Sequence, residues 1–278
     1  MSSDMKKIKL SYAPLHNAGD LFNKDLVERL SGLEVVNSKM YNADMIAIGG
    51  ALVGAQYSGG RGRRMCQRAL GLIYGNKPLY VWGSGFFRDD NESGLYRKNL
   101  QVCALRGQKT QEKLSRLMGK RYDVPLADAG LLAHLFVDEK IEKKYEIGLI
   151  PHMSQLEDEA IKRLLALAGG HLIDIRRTAK EVIDDIASCE TILSSSLHGL
   201  IFADSLHVPN LHIFGSKELY GGNFKFEDYY SCFGIEDRPF VFDGSTLPDK
   251  KMIADAYRVP AEAVEEKKQQ LIDCFPKF

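Results

Sequence analysis

The sequence predicts an α/β protein built from two successive strand–helix series. Three observations carry this. Short apolar runs alternate with longer stretches of helical periodicity from residue 8 to residue 214. Several runs are continuously apolar and end in glycine or small polar residues, as strands buried on both faces do. A charged stretch at 137–144, with Asp138, Glu139, Lys140, Glu142, Lys143 and Lys144, divides the series in two.

Residues 8–12 alternate with period two and form the first strand. A helix follows at 21–30, with Phe22, Leu26, Val27 and Leu30 on its core face. Asn17, Gly19 and Asp20 therefore lie at the carboxyl edge of a strand, where open α/β sheets bind ligands. Asp20 is equally suited to cap the helix. Strands at 33–36 and 45–48 come next, the second ending in Gly49-Gly50. Glycine there permits positive φ and close approach of a ligand. The spacing is neither a dinucleotide turn nor a Walker loop.

The helix at 61–74 carries Arg61, Arg64 and Arg68 at helical spacing, plus Arg63. This is either a solvated face or a contact for phosphate groups. Strands at 78–82 and 101–105 follow. Arg106-Gly107 ends the latter and leads into a helix at 108–118. Arg106 can grip phosphate or carboxylate in a bidentate way, or pair with a carboxylate of the other half. Asp128 precedes a helical segment, as an N-cap or as a general base.

The second series opens with a strand at 145–150, closed by Pro151-His152. A helix at 155–168, a strand at 171–174 and a helix at 178–187 lead to a strand at 191–193. Ser194, Ser195 and Ser196 follow, then Leu197-His-Gly199 and an apolar helix that Pro209 closes. A strand at 211–214 comes next. A helix opened by a polar turn presents unpaired N–H groups and partial positive charge to an anion. The serines add hydroxyl donors, and His198 stands in the first turn. The alternative is an N-cap serine run with a histidine satisfied by a nearby carbonyl. Beyond 214, Gly215 to Lys217 and Gly221 to Tyr230 form a loop and short helix rich in glycine and aromatics. Helices at 251–257 and 261–274 end the chain. The last has an apolar stripe, Val264, Leu271, Ile272 and Phe275, fit to pack back on the first series.

Lys+Arg and Asp+Glu both number 37, which argues against nucleic-acid binding. Five scattered cysteines without CxxC pairs imply reduced thiols in the cytoplasm and no structural zinc. No ligand cluster for a metal is evident, and no signal peptide or membrane span is expected.

The run from Ser194 to Asn210 resembles the C-terminal signature of polysaccharide pyruvyl transferases. Asn17-Ala-Gly-Asp20, Ile48-Gly-Gly50, Leu105-Arg-Gly107, Pro151-His152 and Lys225-Phe-Glu-Asp-Tyr229 resemble further segments of that family, in the expected order. Ala129 departs from the pattern, since the family's Asp is commonly followed by Pro or Ser. The resemblance implies two Rossmann-like domains facing a cleft, similar to GT-B glycosyltransferases, at 1–140 and 141–278. It implies transfer of the enolpyruvyl group of phosphoenolpyruvate to saccharide hydroxyls, closing a ketal in surface polysaccharide biosynthesis. No cofactor or metal is required. It further implies His198 and Asp128 as catalytic residues. Arg106, Ser194, Ser195, Ser196, Lys225 and Gly199 would hold the donor; Asn17, Gly19, Asp20, Gly49, Gly50 and His152 would line the cleft or hold the acceptor. The acceptor would be a nucleotide- or lipid-linked saccharide, the lipid bringing the protein near a membrane. Two rival readings stay open, a sugar-nucleotide glycosyltransferase and a non-catalytic saccharide- or anion-binding module.

Overall fold

The computed structural model describes residues 6–89, 92–137, 141–214, 222–242 and 247–278. Asp138, Glu139 and Lys140 of the charged stretch, and Gly215 to Lys217 and Gly221, lie outside the described residues.

Two parallel five-stranded sheets organise the chain. The first contains β1 (Lys7–Leu10), β2 (Glu34–Asn37), β3 (Met45–Ile46), β4 (Leu79–Ser84) and β5 (Leu100–Leu105), in the order β2-β1-β3-β4-β5. The second contains β6 (Tyr145–Ile150), β7 (His171–Leu172), β8 (Cys189–Ser194), β9 (Asn210–Phe214) and β10 (Phe240–Val241), in the order β10-β9-β8-β6-β7. Counted from its own first strand, each sheet reads 2-1-3-4-5. That is a doubly wound order whose switch point lies between strands 1 and 3.

Local chemistry accounts for the element ends that shape the site. Helix α1 (Ala18–Ser31) starts at Asn17, whose side chain accepts from the Gly19 N–H at 3.0 Å, and stops at Gly32 with φ +67°. The strand expected at 45–48 pairs only over Met45–Ile46. Beyond it the Ile48 N–H donates to Asn23 Oδ1 at 2.9 Å, and Gly49 turns the chain at φ +76°. The helix expected from 155 begins later. Asp158 caps α4 (Glu159–Ala168), and Met153–Gln155 is a separate 3-10 turn. After Asp128 the chain forms a 3-10 helix, Ala129–Phe136, instead of an α-helix.

The apolar faces of the two series meet in one core. Ile8, Leu10, Phe22 and Leu26 pack with Ile150, Ile183, Leu200 and Phe202. The Phe22 ring stands edge-on to Phe136 at 4.9 Å and to Phe202 at 5.2 Å. The outer faces of the sheets are covered by smaller clusters around Val81 and Leu114 and around Leu149 and Leu164. Both faces of each sheet are thus buried, as parallel strands require. The last helix, α9 (Ala261–Asp273), returns to the first sheet: Trp82 Nε1–H donates to the Leu271 carbonyl at 2.9 Å, and Phe275 meets the indole edge-on.

Candidate active site

A cavity of about 790 Å³ opens at the switch points of both sheets. Ser11, Tyr12 and Ala13 line it beyond β1, and Ile48, Gly49 and Gly50 beyond β3. His152 and Met153 line it beyond β6, and Ser196, Leu197 and His198 beyond β8. Open α/β sheets bind ligands outside the carboxyl ends of their strands at this point, because the flanking helices diverge there. One cavity here uses two such points.

His198 is the second residue of α6 (Leu197–Ser205). Its imidazole lies against Gly19, and any Cβ at 19 would overlap the ring. A Cβ at Gly49 would stand 3.4 Å from Cε1 and Nε2. Two glycines of the first series therefore clasp the histidine of the second. Its Nε2 is buried and has no hydrogen-bond partner among the described residues. Burial, reinforced by Lys225, Arg106 and His152, holds the imidazole down to a pKa of about 3. At neutral pH it is uncharged.

The three serines separate by task. Ser194 Oγ donates toward the carbonyls of Ile150 and Ser196 and accepts the Ser196 N–H, so it stitches the turn. Ser195 Oγ donates to Gln155 at 2.6 Å and accepts the His152 N–H at 2.9 Å. Only Ser196 lines the cavity. Gly199 also lies behind the wall; a Cβ there would press on Ser194 Oγ and Ile150. Among the described residues the N–H groups of Leu197, His198 and Gly199 have no backbone acceptor, as expected of a first helical turn.

Cationic groups converge from α7 (Phe224–Ser231) and the end of β5. Lys225 is 6% exposed, forms no ion pair among the described residues and lies beside the Phe87 and Phe226 rings. Burial, then the neighbouring Arg106, pulls its pKa down to about 8, with Asp20 opposing. Arg106 Nε donates to Asp228 Oδ2 at 2.8 Å, a buried pair joining residues of the two series. Asp228 also accepts from the Thr110 N–H and hydroxyl, both at 2.7 Å. Arg106 Nη2 donates to the Phe86 carbonyl, while the residue still lines the cavity. The inter-series carboxylate pair and the cavity position thus coexist.

The acidic candidates part company. Asp20 lines the cavity, and burial raises its carboxyl to about 6 against the pull of Lys225. Asp128 is fully buried and caps the 3-10 helix through the Gly130 N–H at 2.9 Å. Its carboxyl is also raised to about 6, by burial, but it is not among the cavity-lining residues. His152 lines the cavity, and its Nδ1 lies 2.8 Å from the Ser154 hydroxyl and 3.3 Å from the Ser154 N–H. Burial, then Lys225, lowers its pKa to about 4.

Asn17, Asp20, Gly49, Gly50, Arg106, His152, Ser196, His198 and Lys225 therefore meet at one cavity, and Gly19 shapes it. The sequence reading passed over Tyr12, Lys39 and Phe87, which line it from loops without a pattern. It also gave no role to Asp228, although Lys225 and Asp228 share one helix face at i, i+3 spacing.

A family model described as polysaccharide pyruvyl transferase matches residues 2–213. The chain belongs to the polysaccharide pyruvyl transferase family. It is 27% identical over 277 residues to uncharacterized protein L143 of Acanthamoeba polyphaga mimivirus, covering 92% of this chain and 86% of that protein. It is 28% identical over 160 residues to the succinoglycan biosynthesis protein ExoV of Rhizobium meliloti (strain 1021), 57% of this chain and 49% of that one. The chain thus matches about half the length of that relative. A solved structure, a functional uncharacterized protein KP1_0663 from Klebsiella pneumoniae subsp. pneumoniae NTUH-K2044, superposes with a TM-score of 0.48 at 15% identity. The superposition covers 84% of this chain and 92% of that one. For this pyruvyl transferase family member, the matched span stops before α7, yet α7 supplies Lys225 and Asp228 to the site. Among the described residues no helix is long and apolar enough to cross a membrane, and no group of acids, histidines or cysteines could hold a metal.

Proposed function

We propose that this protein moves the enolpyruvyl group of phosphoenolpyruvate onto two hydroxyls of a saccharide and closes a pyruvate ketal. The donor carries a phosphate and a carboxylate. The observation that carries the reading is the meeting of Lys225, Arg106 and the opening turn of α6 around a neutral imidazole with a free Nε2. Fixed positive charge and helix N–H groups hold both anions and stabilise the leaving phosphate. Two Rossmann-like units, 1–140 and 141–278, face across this cavity in the GT-B manner.

The chemistry divides among the residues. The enol methylene must gain a proton, which makes the central carbon electrophilic; each saccharide hydroxyl loses one; the phosphate departs with one. Bound phosphate favours the charged imidazole, so donor binding itself primes His198 to deliver a proton or to steady charge at the central carbon. Asp20 takes the place of general base, since it borders the cavity and titrates near 6. Asp128 then acts as a positioning residue, through the Gly49 N–H it accepts and its cap of the 3-10 helix. The acceptor is a nucleotide- or lipid-linked saccharide in the cytoplasm, a setting in keeping with five free cysteines. The role belongs to polysaccharide biosynthesis, as the name of the succinoglycan biosynthesis protein ExoV suggests for that relative.

The test is release of inorganic phosphate from phosphoenolpyruvate, dependent on a saccharide acceptor and accompanied by an acid-labile pyruvate on the product. Consumption of a sugar nucleotide with phosphoenolpyruvate untouched would replace the reading with a glycosyl transfer. Binding of phosphoenolpyruvate without turnover on any acceptor would leave a binding module.

A further inference from the structure

Helix α2 (Arg61–Tyr74) buries only Gln67 among its residues. Met65, Leu72 and Ile73 are 69%, 86% and 71% exposed. With the exposed Cys66 and Ala69 they share one helical face. Arg61, Arg64 and Arg68 form the stripe beside it. Arg63 lines the cavity, next to Val53 and Gly54 of the preceding 3-10 turn. The helix holds no acidic residue, and none of its four arginines forms an ion pair among the described residues.

This arrangement breaks two local rules at once. Arg61, Arg63 and Arg64 occupy the first turn, where the helix dipole disfavours positive charge. Large apolar side chains stand in water beside them. A partner that supplies both negative charge and an apolar layer relieves both. A second copy docking through the same face would bring two sets of three arginines together, which like-charge repulsion opposes.

We propose that α2 docks this protein on an anionic phospholipid surface, its arginines at the headgroup phosphates and Met65, Leu72 and Ile73 in the interface. Interfacial amphipathic helices bind in this way, by apolar area plus attraction to anionic lipid. Because Arg63 and Val53 belong to both the cavity wall and this edge of the molecule, docking sets the cavity mouth at headgroup level. A saccharide carried on a lipid would be presented there; that consequence rests on the transfer reading, whereas the docking does not.

The experiment is co-sedimentation of the full chain with vesicles of phosphatidylcholine alone or mixed with phosphatidylglycerol. The wild type should bind only the mixed vesicles, and added salt should weaken binding. Arg61→Glu/Arg64→Glu/Arg68→Glu should abolish it, and each single Arg→Gln change at 61, 64 or 68 should lower partitioning about fivefold. Leu72→Ser/Ile73→Ser should weaken it at unchanged charge. All these residues are exposed and outside the cavity, so circular dichroism and urea midpoints should match the wild type. Phosphate release on a soluble acceptor should also be unchanged. Failure of the wild type to bind mixed vesicles, or binding indifferent to these variants, overturns the proposal. A concentration-dependent dimer that the same variants dissociate, without vesicle binding, would assign the face to a second copy. The vesicle assay contains no phosphoenolpyruvate, so its failure is separate from failure of the transfer reading.

Discussion

Gly19→Ala tests the clasp around His198. Position 19 lies in the first turn of α1, where an added methyl strains nothing in the backbone. In an exposed helix interior the change would stabilise by up to about 1 kcal/mol. Here the new Cβ overlaps the imidazole, at Nδ1 and Cγ. Overpacking of this kind costs about 1–3 kcal/mol, so the net loss should be about 1–2 kcal/mol. In the His198→Ala background the ring is gone and the same methyl should be neutral or stabilising by up to about 1 kcal/mol. The cycle therefore predicts a coupling of about 1–3 kcal/mol between residues far apart in sequence. Urea unfolding of the four proteins, at unchanged m, measures it. Phosphate release should fall about a hundredfold in His198→Ala, the scale of a proton-transfer residue, and nearly as far in Gly19→Ala because the ring is displaced. Equal destabilisation by Gly19→Ala in both backgrounds, or full activity of Gly19→Ala, would refute the clasp.

Four further outcomes are expected. Asp20 must be a carboxylate to act as base, and Lys225 an ammonium to hold the donor. kcat/KM should accordingly rise with an apparent pKa near 6 and fall with one near 8, with Asp20→Asn erasing the acid limb. Arg106→Ala strips a buried carboxylate of its partner and should cost about 3–5 kcal/mol in urea unfolding, whereas Arg106→Met with Asp228→Leu should recover much of it. Lys225→Met should leave stability within about 1 kcal/mol, since it removes a buried unpaired charge, yet raise the KM for phosphoenolpyruvate about tenfold or more. As a comparison, His207 pairs with Glu265 at 2.7 Å outside the cavity, so His207→Ala should leave the rate nearly unchanged.

The sequence alone determined the two strand–helix series, because strand and helix periods are local and each buried strand announces itself by continuous apolarity. It determined the helices at 61–74 and 108–118, and it placed Asn17, Gly49, Arg106 and His152 beyond strand ends and His198 in the first turn of a helix. It also carried the family resemblance that the match over 2–213 bears out. The tertiary structure decided what those residues touch. Three adjacent serines look alike in sequence, yet the turn consumes two and turns one toward the cavity. Asp20 and Asp128 both read as helix caps, and only the fold sets one at the cavity and the other behind it. Arg106 meets Asp228 across 122 residues, and Gly19 admits His198. Such contacts depend on how two sheets share one core, and that packing is summed over many weak apolar contacts from distant segments. No short window of sequence holds that sum, so a glycine reads as a flexible turn until the ring that fills its place is seen.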